Sequence, residues 1–249
     1  MIDRDTLLNY ARLNGLRPWQ QEKHYIQSAV LVSLSEQQLV FKGGTYLWFF
    51  QGLDRFSEDL DFTSTGAVPG GLIMKISEDL RMLGIENKAK LLNNDERTIS
   101  LRFSAKGPLY TSDIDMCHVY VEISKREQVV KETEAFELKS DAYGLPVKII
   151  RGMSLAEVAA EKVRAVMTRN KARDVYDLAY LAEKKHVKFD LPLVNEKLKY
   201  YDLSFSKKGL LDRVKERENG WKGELESLVF GKLPSFKHSF GIIKSWIKY

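Results

Sequence analysis

The glycine pair Gly43-Gly44 constrains the fold of this chain most strongly, because it separates a short strand pattern from a helical one. Leu39-Val40-Phe41 before it is an apolar run of strand length. The apolar run Thr45–Gly52 after it predicts a helix that begins at the glycines. Backbone N–H groups of a glycine turn at the positive end of a helix can bind a phosphate. Gly43, Gly44 and Thr45 are therefore candidate phosphate-binding residues, although the same junction also occurs as a plain turn.

The next predicted strand, Glu58–Thr63, carries two carboxylates on one face. Its residues alternate, so that Leu60 and Phe62 point to one side and Asp59 and Asp61 to the other. Two carboxylates on the same strand face repel each other unless a cation lies between them, and oxygen ligands of this kind are those that Mg²⁺ selects. Asp59 and Asp61 are therefore candidate Mg²⁺ ligands. The alternative is a solvated strand edge.

The remaining pattern predicts a portion that mixes strands with helices, followed by a purely helical portion. Residues 85–125 have the short alternating segments of a β-meander, in which His118–Ser124 is the clearest strand. From Ser154 onward the apolar spacing is helical almost to the end of the sequence. We therefore expect two domains, residues 1–152 and residues 153–249.

Composition excludes several classes of protein. With 44% hydrophobic and 29% charged residues, the chain is typical of a folded globular protein. No apolar run approaches the roughly 20 residues that span a bilayer, and the first residues lack a signal-peptide pattern, so we expect no membrane association. The single cysteine, Cys117, excludes an internal disulfide bond and is typical of a cytoplasmic protein.

Two short motifs together indicate a family. Gly-Gly-Thr at 43–45 with Arg-x-Ser-x-Asp-Leu-Asp-Phe at 55–62 resembles the nucleotidyltransferase superfamily, specifically the AbiEii/AbiGii-type toxins of type IV toxin–antitoxin systems. The resemblance implies an α+β fold, with a nucleotidyltransferase-type mixed sheet and flanking helices followed by an all-helical C-terminal portion. It also implies that the glycine–threonine turn binds a nucleoside triphosphate (NTP) and that Asp59 and Asp61 bind Mg²⁺.

The resemblance further implies a third carboxylate on a neighbouring strand, which completes the metal site and takes part in deprotonation. Glu122, on the polar face of His118–Ser124, is the best match, although glutamate stands where aspartate is more usual. Asp113 and Asp115 are competing candidates.

A second signature lies further along the chain, with Glu161-Lys162 followed by an Arg-Asp-x-x-Asp pattern at 173–177. The resemblance implies that Lys162, Arg173 and Asp174 contact the nucleotide, with Lys162 and Arg173 stabilising charge on the leaving pyrophosphate. It also implies that Lys162 and Asp177 act in catalysis; in the helical arrangement considered next, Asp177 would orient a cation.

Helical geometry gives a separate reason to consider these residues together. At about 100° per residue, a continuous helix would bring four of them to one face: Lys162, Arg169, Arg173 and Asp177. Asn170 is a candidate break in that helix. The alternative is a surface ladder of ion pairs, Lys171 with Asp174 and Arg173 with Asp177, which would contribute only a few tenths of a kcal/mol.

As a whole, the resemblance implies an Mg²⁺-dependent nucleotidyltransferase that moves a nucleoside monophosphate from an NTP to an acceptor. For relatives the implied acceptor is the tRNA 3′ end, and a cognate antitoxin is the implied protein partner. Two alternatives are a transferase acting on a small molecule of the antibiotic type and a non-catalytic nucleotide- or protein-binding module on the same fold. The second alternative is opposed by five intact residues: Asp59, Asp61, Lys162, Arg173 and Asp177.

The C-terminal segment is basic, with 11 Lys/Arg and 6 Asp/Glu in residues 199–249. Such a segment suggests a polyanionic partner such as RNA, or an acidic protein. The alternative is a solvated helical surface over an aromatic core. The candidate RNA-binding residues are Lys207, Lys208, Arg213, Lys215 and Arg217, with Tyr200, Tyr201 and Trp221 nearby.

Overall fold

The chain forms two compact units, which we describe separately. The computed structural model describes residues 1–248. The first unit comprises Met1–Tyr46, Glu58–Gln128 and Thr133–Gly152, and the second comprises Leu47–Ser57, Val129–Glu132 and the chain from Met153 onward. Two short segments that precede residue 152 thus group with the helices that follow it. The domain boundaries predicted from the sequence, 1–152 and 153–249, stay a prediction.

The first unit is built on a mixed sheet in which seven described strands follow the order β3-β4-β5-β2-β1-β7-β6. The strands are β1 (Leu39–Lys42), β2 (Asp59–Ser64), β3 (Asn87–Asn94), β4 (Thr98–Ala105), β5 (Cys117–Ser124), β6 (Glu134–Leu138) and β7 (Lys148–Gly152). Strand β2 lies at the centre, antiparallel to β1 and parallel to β5. The short strand patterns before and after the glycine pair therefore become adjacent central strands.

The helices of this unit before β3 are α1 (Arg4–Leu13), α2 (Pro18–Leu34) and α4 (Leu72–Met82). Helix α2 packs on β5 and α4 on β3, while α1 packs on α2. Helix α1 begins at Asp3, whose side chain accepts a hydrogen bond from the Thr6 N–H, and α2 begins with Pro18 in its first turn. Helix α3 (Gly43–Gln51) starts directly after β1, as the glycine pair predicted.

The two faces of the sheet differ sharply in polarity. Along β5, Val119 and Val121 are buried while Tyr120 and Glu122 are exposed. On β3, the Asn87 side chain accepts a hydrogen bond of 2.8 Å from the Ser77 hydroxyl of α4. Because side chains alternate along a strand, α4 lies on the apolar face, and the polar side chains of β5 project from the other face.

The second unit is helical. Its helices are α5 (Leu155–Thr168), α6 (Ala172–Glu183), α7 (Leu191–Lys199), α8 (Lys207–Lys215), α9 (Trp221–Leu225) and α10 (Phe236–Trp246). Ser154 caps α5 by accepting a hydrogen bond from the Glu157 N–H. The chain between α5 and α6 leaves the helical conformation, since Arg169 has the extended values φ −140° and ψ 158°.

Two of the candidate RNA-binding residues belong to the core of this unit. Arg217 is buried and donates hydrogen bonds to the backbone carbonyls of Val166 and Arg169. Trp221 is also buried, and its indole N–H donates to the carbonyl of Pro234 at 2.9 Å. The prediction that these two side chains bind RNA is therefore wrong, because both are used to hold the helices together.

The α+β fold predicted from the sequence is confirmed, with a mixed sheet, flanking helices and an all-helical C-terminal portion. The sequence analysis missed β6, an edge strand of mostly exposed residues that lacks an apolar alternation. Among residues 1–248, no helix is long and apolar enough to span a membrane.

The contact between the first two central strands generates a stability prediction. Phe41 is fully buried and stacks on Phe62 with 4.9 Å between the ring centroids. We expect Phe41→Ala to lower the free energy of unfolding by about 3–5 kcal/mol, because it leaves a cavity between β1, β2 and α3. Urea denaturation measures this. Leu13→Ala, at a residue of α1 that is 79% exposed, is the control and should change stability by less than about 0.5 kcal/mol.

Candidate active site

The register of β2 determines which predicted site residues meet in the first unit. Asp61 is paired with Lys42 on β1 and with Glu122 on β5, and Asp59 is paired with Tyr120 on β5. Paired residues of neighbouring strands project from the same face of a sheet. Asp59, Asp61 and Glu122 therefore share the polar face, with Asp61 and Glu122 side by side. The two aspartates are half-buried and Glu122 is exposed.

Gly43 leaves space for the Asp61 carboxylate. Its φ of +77° is in the left-handed region, which disfavours residues with a side chain. A methyl group on Gly43 would overlap Oδ2 of Asp61 and would lie 3.0 Å from both Cβ and Cγ of that residue. The glycine therefore allows β1 and α3 to pass close to the carboxylate. Phosphate binding by the N–H groups of Gly43 and Gly44 stays a prediction.

Thr45 has a structural contact that the sequence did not indicate. Its side chain is fully buried, and its hydroxyl donates a hydrogen bond of 2.5 Å to the backbone carbonyl of Asp59. This bond ties the first turn of α3 to the start of β2, where the two aspartates lie. The hydroxyl thus positions the aspartate strand, and nucleotide binding by Thr45 stays a prediction.

A buried ion pair lies next to these carboxylates. The Lys42 amine is 2.9 Å from Oε2 of Glu127, and both side chains are less than 10% exposed. Lys42 projects from the same face as Asp61, its register partner. Sequence reasoning missed both residues. Strand alternation could have found Lys42, because Phe41 points to the apolar face, whereas no pattern singles out Glu127.

Asp59 and Asp61 fit the chemistry of a Mg²⁺ site. Mg²⁺ is commonly held by one or two carboxylates, with substrate phosphates and waters completing its octahedron. Within residues 1–248, no three or more His, Cys, Asp or Glu side chains are grouped so that they could hold a metal by themselves. The three-carboxylate site of Asp59, Asp61 and Glu122 stays a prediction.

The two competing candidates for the third carboxylate have local partners. Asp113 and Asp115 lie in an exposed 3₁₀ turn before β5. Asp113 accepts a hydrogen bond from Tyr110 and forms an ion pair of 3.2 Å with Lys88. Asp115 accepts hydrogen bonds from the Thr111 and Ser112 hydroxyls. Of the three candidates, Glu122 is the one paired with Asp61 in the sheet.

In the second unit, Lys162 and Asp177 meet in a buried charged cluster. The Lys162 amine is 2.6 Å from Oδ2 of Asp177 and 3.1 Å from Oδ1 of Asp174. Arg55 binds the Asp177 carboxylate with two hydrogen bonds of 2.6 and 2.7 Å. Arg169 binds Asp174 in the same bidentate manner, at 2.7 and 2.9 Å. We call these five residues the charged cluster; four of them are buried, whereas Arg169 lies at its edge and is exposed.

The carboxylates of the charged cluster are held in the ionised form. Burial raises the pKa of Asp177, but attraction to Arg55 and Lys162 outweighs burial, so that the pKa lies below its ordinary value. The same balance, with Lys162 and Arg169 as the cations, holds the pKa of Asp174 well below its usual range. Arg55 is the member of the charged cluster to which sequence reasoning gave no role. The one sequence feature that could have indicated a role for Arg55 is its place as the first residue of the Arg-x-Ser-x-Asp-Leu-Asp-Phe motif.

The continuous helix considered in the sequence analysis does not form, because α5 ends at Thr168 and α6 begins at Ala172, with the candidate break Asn170 between them. The surface ladder of ion pairs is wrong too, since Asp174 and Asp177 are fully buried and bind other cations. Arg173 is half-buried and lies outside the charged cluster. Its side chain has no hydrogen bond or ion pair within residues 1–248. Nucleotide contacts by Lys162, Arg173 and Asp174 stay predictions.

Comparison with known proteins identifies a family. The family described as "Nucleotidyl transferase AbiEii toxin, Type IV TA system" matches residues 28–241. This match confirms the resemblance inferred from the two sequence signatures. A search of curated protein sequences found no match.

Several solved structures have the same fold at 20% sequence identity. JHP933 from Helicobacter pylori has a TM-score of 0.63 over 91% of this chain and 89% of its own. A putative nucleotidyltransferase from H. pylori has a TM-score of 0.62 over 90% and 91%. MenT4, the nucleotidyltransferase toxin Rv2826c from Mycobacterium tuberculosis H37Rv, has a TM-score of 0.62 over 100% and 89%. The predicted nucleotidyltransferase-type fold is thus confirmed.

The overlap between Gly43 and Asp61 generates a prediction with a matched control. Gly15 also has a positive φ, +63°, but a methyl group there would meet no atom within 4 Å. Gly15→Ala should therefore cost only the backbone strain of about 1–2 kcal/mol. We expect Gly43→Ala to cost clearly more in urea denaturation, because Asp61 must also move. Equal losses for the two variants would contradict the close approach described above.

The charged cluster generates a second prediction. Asp177→Asn leaves Arg55 and Lys162 buried without their shared counter-charge, so we expect a loss of about 3–5 kcal/mol in the free energy of unfolding. Chemical denaturation at neutral pH measures it. Asp212→Asn, at an exposed position of α8, is the matched control and should be nearly neutral.

The same cluster predicts how stability depends on pH. A carboxylate whose pKa is lower in the folded than in the unfolded protein stabilises the fold fully above the ordinary pKa of about 3.9, and that contribution is lost as the pH falls through the folded value. We expect the wild type to lose stability steeply below about pH 4. The Asp177→Asn variant should lose less over the same range, because it lacks one of the titrating groups.

Proposed function

Because the chain belongs to the AbiEii nucleotidyltransferase toxin family of type IV toxin–antitoxin systems, we propose that it moves a nucleoside monophosphate from an NTP to the 3′ end of an RNA. Family membership establishes nucleotidyl transfer in a toxin–antitoxin context. The proposal adds Mg²⁺ dependence and tRNA as the acceptor class. It also adds a cognate antitoxin as the protein partner.

One observation carries the proposal: β2 presents Asp61 beside Glu122, in a space that exists because residue 43 is glycine. An Asp-x-Asp strand with a neighbouring glutamate on the same sheet face suits two tasks, holding a cation and accepting a proton. Half-burial of both aspartates supports the first task, since partly desolvated carboxylates interact more strongly with a cation. The basic C-terminal segment supports a polyanionic acceptor over a small molecule.

In the proposed reaction, a hydroxyl oxygen of the acceptor forms a bond to the α-phosphorus of the NTP. The bond between that phosphorus and the bridging oxygen breaks, and pyrophosphate leaves with the electron pair. Glu122 accepts the hydroxyl proton. Asp59 and Asp61 would hold Mg²⁺, which would supply positive charge to neutralise the phosphate oxygens. Thr45 and Gly43 position the two aspartates through the contacts described above.

The test is transfer of label from each NTP, labelled at the α-phosphate, to total RNA in the presence of Mg²⁺. Asp61→Asn keeps the size of the side chain but removes its charge, so we expect transfer to fall by on the order of 10³-fold or more. Glu122→Gln should also reduce transfer and should weaken its dependence on pH. Glu78→Gln, at an exposed residue of α4, is the control and should keep wild-type activity.

Two outcomes would contradict the proposal. Full transfer by Asp61→Asn would exclude Asp61 from the metal site. Label appearing on a small molecule, with none on RNA, would favour the antibiotic-type transferase instead.

Chelation of divalent metal with EDTA should abolish transfer, and restored activity on adding Mg²⁺ would support the metal assignment.

A further inference from the structure

The polar face of the sheet continues beyond the aspartates as a row of side chains. Lys90 on β3 is paired with Arg102 on β4, Arg102 with Tyr120 on β5, and Tyr120 with Asp59 on β2. Paired residues share a face, so these four side chains form one line across four neighbouring strands. At about 4.8 Å between strands, the line is roughly 14 Å long. We call it the basic row.

The side chains of the basic row are positively charged at its outer end and negatively charged at its inner end. The outer strands contribute the cations Lys90 and Arg102, and the inner strand contributes Asp59. A second line of register pairs runs beside the basic row on the same face of the sheet. It joins Lys88 on β3 to His118 on β5 through Ser104 on β4, and both Lys88 and His118 are exposed. Lys88 forms an ion pair with Asp113 in which both side chains are more than 65% exposed, so the contact is weak and easily exchanged.

Among the residues that the structure describes, Arg102 has no partner for its charge. Its Nε atom is shielded from solvent but makes no hydrogen bond, and its guanidinium has no ion pair among residues 1–248. Buried donors of this kind are rarely left unsatisfied. The positive charge also acts on a neighbour, since partial burial together with Arg102 and Lys23 lowers the pKa of His118. An anion at Arg102 would satisfy the donor and the charge at once.

Tyr120 presents an aromatic ring on this surface. Its side chain is 37% exposed, and within the described chain it has no ring or hydrogen-bond contact. A large exposed ring on a sheet face, between an arginine and a carboxylate, is a suitable platform for stacking a nucleobase. Helix α4 lies on the opposite side of β3, against Asn87, and Lys90 and Tyr120 are both exposed.

We propose that the basic row binds the single-stranded 3′ end of the acceptor RNA, with a base stacked on Tyr120 and phosphates at Arg102 and Lys90. This inference rests on the proposed function, because it supplies the path by which the acceptor hydroxyl reaches Asp59 and Asp61. An RNA fits better than an acidic protein segment for two reasons. The row alternates cations with a stacking ring, and it ends at the carboxylates where the 3′ hydroxyl must arrive.

The test uses full-length protein carrying Asp61→Asn, so that no transfer occurs, and a short fluorescein-labelled single-stranded RNA. Fluorescence anisotropy gives the affinity. We expect Tyr120→Leu to weaken binding by about 5- to 100-fold, whereas Tyr120→Phe keeps the ring and the affinity. Arg81→Ala removes an exposed arginine of α4, on the opposite side of the sheet, and should leave the affinity unchanged.

Salt dependence separates the two kinds of contact. Arg102→Ala and Lys90→Ala should each reduce the slope of log K against log salt by about 0.7, the amount expected for one lost phosphate contact on a single strand. Tyr120→Leu should weaken binding without changing that slope.

In the otherwise wild-type enzyme, the same variants should raise KM for RNA and leave KM for the NTP unchanged.

The outcomes distinguish this inference from the function on which it rests. If Asp61→Asn retains transfer, the proposed function fails. If Asp61→Asn abolishes transfer but the Lys90, Arg102 and Tyr120 variants bind RNA as tightly as their parent, only the inference is overturned. Unchanged RNA affinity with lost antitoxin binding would assign the surface to a protein and would also overturn it. Thermal melting confirms that each variant is folded.

Discussion

The hydrogen-bonded register of β2 between β1 and β5 is the constraint on which the candidate site depends. A shift of one residue would turn Asp59 and Asp61 to the apolar face and Leu60 and Phe62 to the polar one. The stacked rings of Phe41 and Phe62 oppose such a shift, because they belong to the core of the first unit. Hydrophobic packing on one face of the sheet thus fixes the position of the carboxylates on the other.

The second unit has a different kind of constraint, a charged interior. The desolvation penalty of buried ions is repaid only when geometry is close to ideal. The buried Arg55 and the exposed Arg169 each meet a buried carboxylate through two hydrogen bonds. Replacing a buried ion pair by well-packed apolar residues of similar volume is often neutral or stabilising. A charged cluster instead admits few alternative packings, because each alternative leaves an ion without its partner. We infer that it specifies how segment 47–57 joins α5 and α6.

The sequence predicted local features well and non-local pairings poorly. Alternation in β2 and β5 identified the polar faces correctly, because period 2 is a property of each strand alone. The pairing of Asp61 with Glu122 needed the resemblance, since no local rule states which strand lies beside β2. The helix break around Asn170 was recognised as a candidate, but the bidentate contact of the extended Arg169 with Asp174 was not predicted, because it depends on the course of the chain after the break. The contact of Arg55 was not predicted, because its partner, Asp177, is 122 positions away in the sequence.

That separation also affects the order in which the protein folds during synthesis. At about 5–20 residues per second, a ribosome needs roughly 6–24 s to extend the chain from Arg55 to Asp177. Throughout this interval the guanidinium of the nascent chain stays hydrated, because burial without a carboxylate would be too costly. Segment 47–57, which leads directly into the strand bearing Asp59 and Asp61, therefore reaches its final packing only after α6 has been made.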